Sequence, residues 1–539
     1  MKLEDVSFDK LPVNSLFQTY VNDYPKLSGF FSESPFRWPK QNGRADFNTG
    51  KVDRETLITL LNNINSAYGV DEEALRQIKR LEDPETRVVV TGQQMVVFGG
   101  PLFLILKAIS VLLWAKHIER QTGKPVVPVF WLADEDHDLE EVSTLALPGS
   151  DGAEHLYLDY HPAVHHSVGS NSPAGEEVDS LLKQIFSLLP ETDFSSELEE
   201  LLRSSYQSGN LKQGFGKLMA GLFSKHGLVL AESNNAGIKK ELSRPICQAV
   251  QQAIEINEKL EERSAEVEDG FHRQAQVQPT TLFMHDDNKG RIRLNRTNGK
   301  WWTDAGDEWT SRELCRMAEE EPWRFSPNVF LRPIIQDWLL PTVGYVAGPG
   351  EVAYYAQLGK VYELFDQKMP VILPRYSASI IEPAIDRIMD HLPFELPDFA
   401  RRIEDLEKEY LEWSTPDNLE DHFLTWQQEL ENFMQQKSSL IDRYDPSLRG
   451  SAEKMTVNFN KSIEKLHQKL RKSLRQQDEV QLKRIKRIKN TIFPDDRMQE
   501  RVISWLYFSN KYGLSFWDEI INELSESEAL PHKHLLLFP

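Results

Sequence analysis

Residues 88–106 read VVVTGQQMVVFGGPLFLIL. The β-branched run Val88-Val89-Val90 stops at Thr91-Gly92-Gln93-Gln94, and Gly99-Gly100-Pro101 then opens an apolar segment that continues to Ile118. That order predicts strand, polar loop and glycine-marked helix start. In a doubly wound sheet, ligands bind where a strand hands over to its helix, because the helix start points N–H groups into the crevice. Thr91, Gln93 and Gln94 add side-chain donors and acceptors there, and Gly99 and Gly100 let backbone approach a ligand. The pattern is neither G-x-G-x-x-G nor a P-loop, since no Lys-Ser/Thr follows the glycines. The plainer reading is a tight turn feeding a buried helix.

Outward from this stretch the chain alternates. Pro125–Ala133 (PVVPVFWLA) is a continuous apolar run of the kind that parallel strands show when both faces are covered. Gly227–Glu232 is a further short strand, followed by a charged helix over roughly 237–268. Residues 326–383 return to strand (Leu339–Val346), helix (Glu351–Phe365) and strand (Pro370–Leu373). Strands alternating with helices predict an α/β fold, a Rossmann-like doubly wound parallel core. That core covers 1–145 and 226–384, with a helical insertion at 146–225 and an antiparallel one at 270–325, where turn signals recur.

After Pro383 the pattern changes. Phe399, Ile403, Leu406, Tyr410 and Trp413 step by four and three; so do Leu419, Phe423, Trp426, Leu430 and Phe433. Phe459, Ile463, Leu466, Leu470 and Leu474 form a third stripe. This spacing predicts an α-helical coiled-coil arm over 385–490, with 491–539 packing back on the core. Stripes of this length need a cover, which predicts a homodimer through the arm; an ordinary bundle within one subunit is the alternative.

The 539 residues carry a net charge of -21, which disfavours nucleic acid as a partner except at a local basic face. Met95–Ala115 contains Gly, Pro, Lys and Ser and reads as a buried helix, so no membrane span is expected. Two cysteines, Cys247 and Cys315, suggest a reducing compartment without disulfides, and the N-terminus lacks a leader-like apolar region. The cytoplasm is the expected location.

Four strand ends carry polar residues. Asp134-Glu135-Asp136-His137-Asp138 follows the PVVPVFWLA strand. Five ionisable groups there are costly unless they face a cleft. Glu135, Asp136, His137 and Asp138 are therefore the candidate catalytic residues: carboxylates to hold an ammonium group, the imidazole as acid or base. Carboxylate plus His also suits Mg²⁺ or Mn²⁺, although no metal set is assigned; a solvated helix start is the plain alternative. QDWLLPTVGYVAGPGE (336–351) supplies Asp337 and Glu351, with Tyr354 just beyond, and PRYSAS (374–379) supplies Arg375 and Ser377 for a carboxylate or phosphate. Together with Thr91, Gln93, Gln94, Gly99 and Gly100 these are the candidate substrate-binding residues. Lys483–Lys489 (KRIKRIK), on the third arm helix, precedes an aromatic stretch. Asn490, Trp505, Ser509 and Lys511 are the candidates to stack and charge-pair a nucleotide, against the blander reading of a solvated basic face.

Six ordered segments then carry a resemblance: TGQQMVVFGGPLFLILKAI (91–109), PVFWLADEDHDLEEV (128–142), GFHRQAQVQP (270–279), RPIIQDWLLPTVGYVAGPGEVAYYAQL (332–358), MPVILPRYS (369–377) and FPDDRMQER (493–501). They resemble the bacillithiol biosynthesis cysteine-adding enzymes essentially end to end. The resemblance implies a core similar to class I aminoacyl-tRNA synthetases, connective-peptide insertions and a dimerising coiled coil. It also implies the reaction: amide joining of L-cysteine to the amine of glucosaminyl-malate. The synthetase analogy brings in ATP and Mg²⁺. The chain departs from it, with Phe98-Gly99-Gly100-Pro101 in place of His-x-Gly-His and PRYSAS in place of Lys-Met-Ser-Lys-Ser. The activating nucleotide, ATP or another, stays open. A second function class is a catalytically inactive nucleotide- or tRNA-binding relative.

Overall fold

The Val88–Val90 run sits at the centre of a five-stranded sheet. The structure, a computed structural model, describes the chain except residues 39–47, 136–137, 163–166, 174, 208, 287, 415–418 and 528–529. Two compact units emerge: Met1–Ile380 with Met498–Pro539, and Ile381–Arg497.

In the first unit the core strands are β1 (Arg87–Gln93), β2 (Val126–Leu132), β3 (Val229–Glu232), β4 (Thr342–Ala347) and β5 (Val371–Pro374). All are parallel, in the order β5-β4-β1-β2-β3. This is the Rossmann-like order, and the strand order reverses between β1 and β4. Every residue of β2 is buried, as its unbroken apolar run requires of a strand covered on both faces. The crossover helix α1 (Leu102–Thr122) is buried almost all round and ends on Gly123 in the left-handed region (φ 67°).

Further along, α2 (Ala236–Glu241), α3 (Ser243–Gln251) and a helix over Ala253–Glu268 replace the single helix expected at 237–268. The insertion holds two small sheets; strand Leu282–Asp286 pairs antiparallel with both Gly290–Arg293 and Phe325–Pro327. Between the sheets' strands lies α4 (Ser311–Glu320), started by a Thr310/Glu313 capping box. Helix α5 (Leu331–Leu339) occupies the start of the strand expected from Leu339, and β4 begins only after Pro341. Helix α6 (Pro349–Tyr355) follows β4 directly.

A separate three-stranded sheet was not foreseen. Strand His534–Phe538 lies between Lys2–Val6, antiparallel, and Ser377–Ile380, parallel.

The expected absence of disulfides is corrected: Cys247 on α3 and Cys315 on α4 are bonded, with Cα atoms 4.7 Å apart across 68 residues of sequence. Two adjacent helices bring together what the sequence separates.

In the second unit α7 (Leu419–Tyr444) and α8 (Arg449–Gln477) form an antiparallel hairpin around Pro446–Leu448. The Phe423 and His467 rings stack 4.5 Å apart, and Asn460 donates to Glu431 at 2.9 Å. The basic stretch 483–489 is not on the third stripe's helix; the chain breaks at Asp478 and the stretch belongs to α9 (Glu479–Ile492). Ile485, Ile488 and Ile492 are buried, and Lys489 Nζ is held by Phe399 O, Arg401 O and Asp496. Among the described residues, no helix is long and apolar enough to cross a membrane.

Candidate functional site

At the carboxyl ends of β1, β2 and β3 the first unit opens into a cavity of about 380 Å³. Gly92, Gln93 and Gln94 line it after β1, Ala133 and Glu135 after β2, Ser233 after β3 and Glu351 from α6. The insertion contributes Gln276, Gln278, Phe283 and Arg291; Pro327, Asn328, Val329 and Arg332 complete the wall. Its position at the strand-order reversal is where open α/β sheets bind ligands.

A buried lysine organises one side. Lys107 Nζ, on α1, donates to Gly92 O at 2.7 Å and Gln93 Oε1 at 3.0 Å, and pairs with Glu351 Oε2 at 2.7 Å. Burial pulls the ammonium below its ordinary pKa, with Glu351 opposing. Burial works to raise Glu351, yet Lys107, the Gly348 N–H at 2.8 Å and the Tyr345 hydroxyl at 2.8 Å hold it below the usual range. Arg332 extends the network, donating to the Tyr354 hydroxyl at 2.9 Å and to Gln336 Oε1 at 3.3 Å.

On the other side Glu135 pairs with Lys239 of α2, whose ammonium also donates to Phe325 O at 2.6 Å. Burial brings Lys239 down to about 7, with Asp134 opposing and Arg291 helping. Arg291 itself is fixed by Ser326 Oγ and Pro327 O, both at 2.9 Å, and lies 3.9 Å over the Phe283 ring. Beneath the wall Asp134 accepts from Ser233 Oγ and the Asn234 N–H and pairs with Lys212 at 3.1 Å.

The structure thus gathers Gln93, Gln94, Glu135 and Glu351 from the candidate residues, with Tyr354 one hydrogen bond behind. Asp136 and His137 lie outside the described residues. Asp138 is exposed and caps the helix Leu139–Val142 through the Glu141 N–H at 3.1 Å. Thr91 is buried, its hydroxyl donating to Val346 O at 3.0 Å; it ties β1 to β4. Asp337 is buried against the Tyr362 hydroxyl at 2.7 Å, and desolvation raises its carboxyl to about 6.

Gly99 and Gly100 form no anion cradle. Their N–H groups bond to Val96 O and Val97 O at 3.0 and 3.1 Å. Both have positive φ, and the Trp505 indole closes over Gly99, donating to Phe98 O at 2.8 Å. Ser504 Oγ donates to Gly100 O, and the Leu102 N–H donates to Ile503 O. The C-terminal segment therefore covers the helix start that the sequence reading gave to a ligand. The turn does not fit a nucleotide phosphate. Trp505 is buried, and Ser509 accepts from the Trp517 indole at 2.8 Å, so neither offers a free stacking ring or hydroxyl. Lys511 lies over the Tyr507 and Tyr512 rings. Asn490 belongs to the second unit.

Arg375 and Ser377 are also buried away from the cavity. Arg375 forks onto Glu500 at 2.8 and 2.5 Å, and the Ser377 hydroxyl meets His534 Nδ1 at 2.8 Å. Arg375 holds Glu500 down near 2 against desolvation, and burial lowers His534 to about 4. Sequence reasoning missed Lys107, Lys239, Arg291 and Arg332. Lys107 did leave a signal: it is the one charged residue in the almost wholly apolar run Leu102–Ala115.

Comparison with known proteins adds a second line of argument. Residues 1–376 match the model described as "Bacillithiol biosynthesis BshC, N-terminal Rossmann-like domain". Residues 378–538 match the C-terminal coiled-coil domain of the same family. The chain belongs to the BshC family. Relatives named "Putative cysteine ligase BshC" include one from Salinibacter ruber, 33% identical over 94% of both chains. Another, from Symbiobacterium thermophilum, is 30% identical over the full length of both. A third, from Bacillus cytotoxicus, is 28% identical over 97% of this chain and 98% of its own.

Proposed function

We propose that this protein is a cysteine ligase of bacillithiol biosynthesis, joining L-cysteine through an amide bond to the amine of glucosaminyl-malate. The observation that carries the reading is the cavity at the β1/β4 reversal, walled by Glu135 and Glu351 facing Arg291 and Arg332. Family membership gives the reaction class, and the cavity supplies groups that suit it.

Amide formation needs a neutral amine nucleophile. The Glu135–Lys239 couple, with the lysine near neutrality, accepts the proton that the incoming ammonium must lose. Glu351, held ionised by Lys107, orients a second ammonium, that of cysteine. Arg291 and Arg332 take the carboxylates of malate, in place of Arg375, which the sequence had offered for a carboxylate. The donor that activates the cysteine carboxyl is not drawn at the glycine turn, whose N–H groups are spent.

The arm supports a homodimer. Trp426, Phe433 and Leu440 repeat every seven residues on α7 and are 51%, 54% and 49% exposed, while Met455, Phe459 and Leu466 are exposed on α8. Phe423 and Met434 are buried instead, and the Phe423 ring stacks on His467 of the facing helix. An exposed apolar stripe beside these buried residues suits a second copy of the chain. The cytoplasm is the location that goes with this reading.

The test is a reconstituted reaction of glucosaminyl-malate and L-cysteine, with and without ATP and Mg²⁺, read by mass spectrometry. The cysteinyl amide is expected in at least one arm and reduced at least a hundredfold by Glu135→Gln. No amide in any arm with folded protein overturns the reading.

A further inference from the structure

The Cys247–Cys315 bond joins a segment that runs into the cavity wall at Pro327 to one whose Lys239 holds the lining residue Glu135. Cys247 lies on α3, directly after α2, which carries Lys239. Cys315 lies on α4, and the chain runs from there through Pro322–Arg324 into Phe325–Pro327. These same two segments meet a second time where Lys239 Nζ donates to Phe325 O. One tie is covalent and reducible; the other lies directly behind the wall residue Glu135. Strand Phe325–Pro327 in turn holds Arg291 through Ser326 and Pro327, and pairs with the strand that carries Phe283. The placement of Glu135, Lys239, Arg291 and Phe283 thus depends on how α3 and α4 are held.

Neither cysteine residue is fully buried. They differ in one respect: Gln251 Nε2 lies 3.7 Å from Cys315 Sγ. A donor there favours the thiolate of Cys315 as leaving group and directs attack to Cys247. The pair makes up all the cysteine in the chain, so a pairing partner is fixed. The first unit has a large apolar core of its own, so the bond is not the staple that small domains need.

We infer that Cys247–Cys315 is a thiol-exchange site for low-molecular-weight thiols, whose reduction loosens the insertion wall of the cavity. A thiolate RS⁻ attacks Cys247 Sγ, the S–S bond breaks, and Cys315 leaves as thiolate and takes a proton. A second RSH displaces Cys247 from the mixed disulfide. The balance is one protein disulfide and two RSH giving two protein thiols and one RSSR. The thiol is the reductant, and no other redox partner is needed. The inference does not rest on the ligation chemistry.

The experiment equilibrates the full-length protein in graded L-cysteine/L-cystine ratios, quenches with acid, and counts N-ethylmaleimide adducts by mass. Hydrogen exchange at 282–286 and 325–328 is followed in the same samples. Expected are zero adducts at the oxidised end, two at the reduced end and full reversal, with exchange at both strands at least threefold faster when reduced. Cys247→Ser with Cys315→Ser should exchange at the reduced rate in every buffer. Should that variant not fold, the wild-type titration alone decides. Adducts that do not change with the ratio overturn the exchange site. Equal exchange in both forms overturns the coupling to the cavity. Neither result touches the ligase reading, which is measured by product.

Discussion

Lys107 Nζ stands 2.7 Å from Glu351 Oε2 with both side chains largely withdrawn from water, at the edge where β1 and β4 diverge. The pair links the helix that follows β1 to the helix that follows β4. It joins the two sides of the crevice electrostatically where the backbone does not.

Removing one member leaves a buried charge without its partner. Lys107→Met should therefore cost about 3–5 kcal/mol of stability. Lys107→Met with Glu351→Gln should cost less than the sum of the single changes. Urea unfolding of the four proteins measures both; additive losses would show that the pair does not act as a unit.

The proton couple predicts a pH profile. Lys239 titrates near 7 with Glu135, Asp134 and Arg291 about it. If the couple takes the proton of the amine, kcat/KM rises with pH through about 7. Lys239→Met should remove that limb and lower kcat at least tenfold. An unchanged limb in the variant would assign it to another group.

Acid stability follows from the Arg375–Glu500–His534 cluster. Glu500 is ionised in the fold down to about 2 against an ordinary 4.5, so its stabilisation is complete above 4.5 and is lost as pH falls from there toward 2. His534 stays neutral to about 4 against 6.5, so protonation of the unfolded chain draws stability down between 6.5 and 4. Asp337 acts oppositely: raised to about 6 from 3.8, it favours the fold at low pH and gives that up as pH rises through the interval. Glu500→Gln should remove Glu500's share of the loss below 4.5 and leave the His534 share between 6.5 and 4, as followed by denaturant midpoints from pH 3 to 7.

At the glycine turn, Gly99→Ala forces a φ of 80° on a residue with a side chain and brings its Cβ to 2.5 Å from the Trp505 indole nitrogen. The backbone strain alone costs about 1–3 kcal/mol. Thermal unfolding should shift down, and Trp505→Phe should not restore it, because the φ remains.

For the arm, Phe433→Glu with Leu466→Glu leaves the buried Phe423 and Met434 in place and charges the exposed stripe. Light scattering should report about 62 kDa for the variant and twice that for the parent. A parent of monomer mass at tens of micromolar removes the dimer.

Val88–Val90 and PVVPVFWLA announced the central strands because a strand covered on both faces must be apolar throughout. Gln93, Glu135 and Glu351 were legible as polar residues at the ends of such strands. Arg375 was misread for the same reason: its partner Glu500 lies 125 residues away, and no local pattern encodes a long-range ion pair. Lys239 sits in a lysine- and glutamate-rich stretch, where nothing local separates the buried cation from the solvated ones. Asp337 fell inside because α5 runs on to Leu339, turning its carboxyl toward Tyr362.

The late position of residues 498–538 bears on biosynthesis. The strand His534–Phe538 and the Ile503–Trp505 cover belong to the first unit, yet the whole of Ile381–Arg497 is translated before them. At roughly 5–20 residues per second, a nascent sheet waits several seconds or more for its last pieces. Throughout that interval the mouth of α1 and the edge of Ser377–Ile380 stand open. The first unit is thus a candidate client for holding chaperones on the ribosome, and a premature stop before Met498 should yield an aggregating fragment in place of a shortened enzyme.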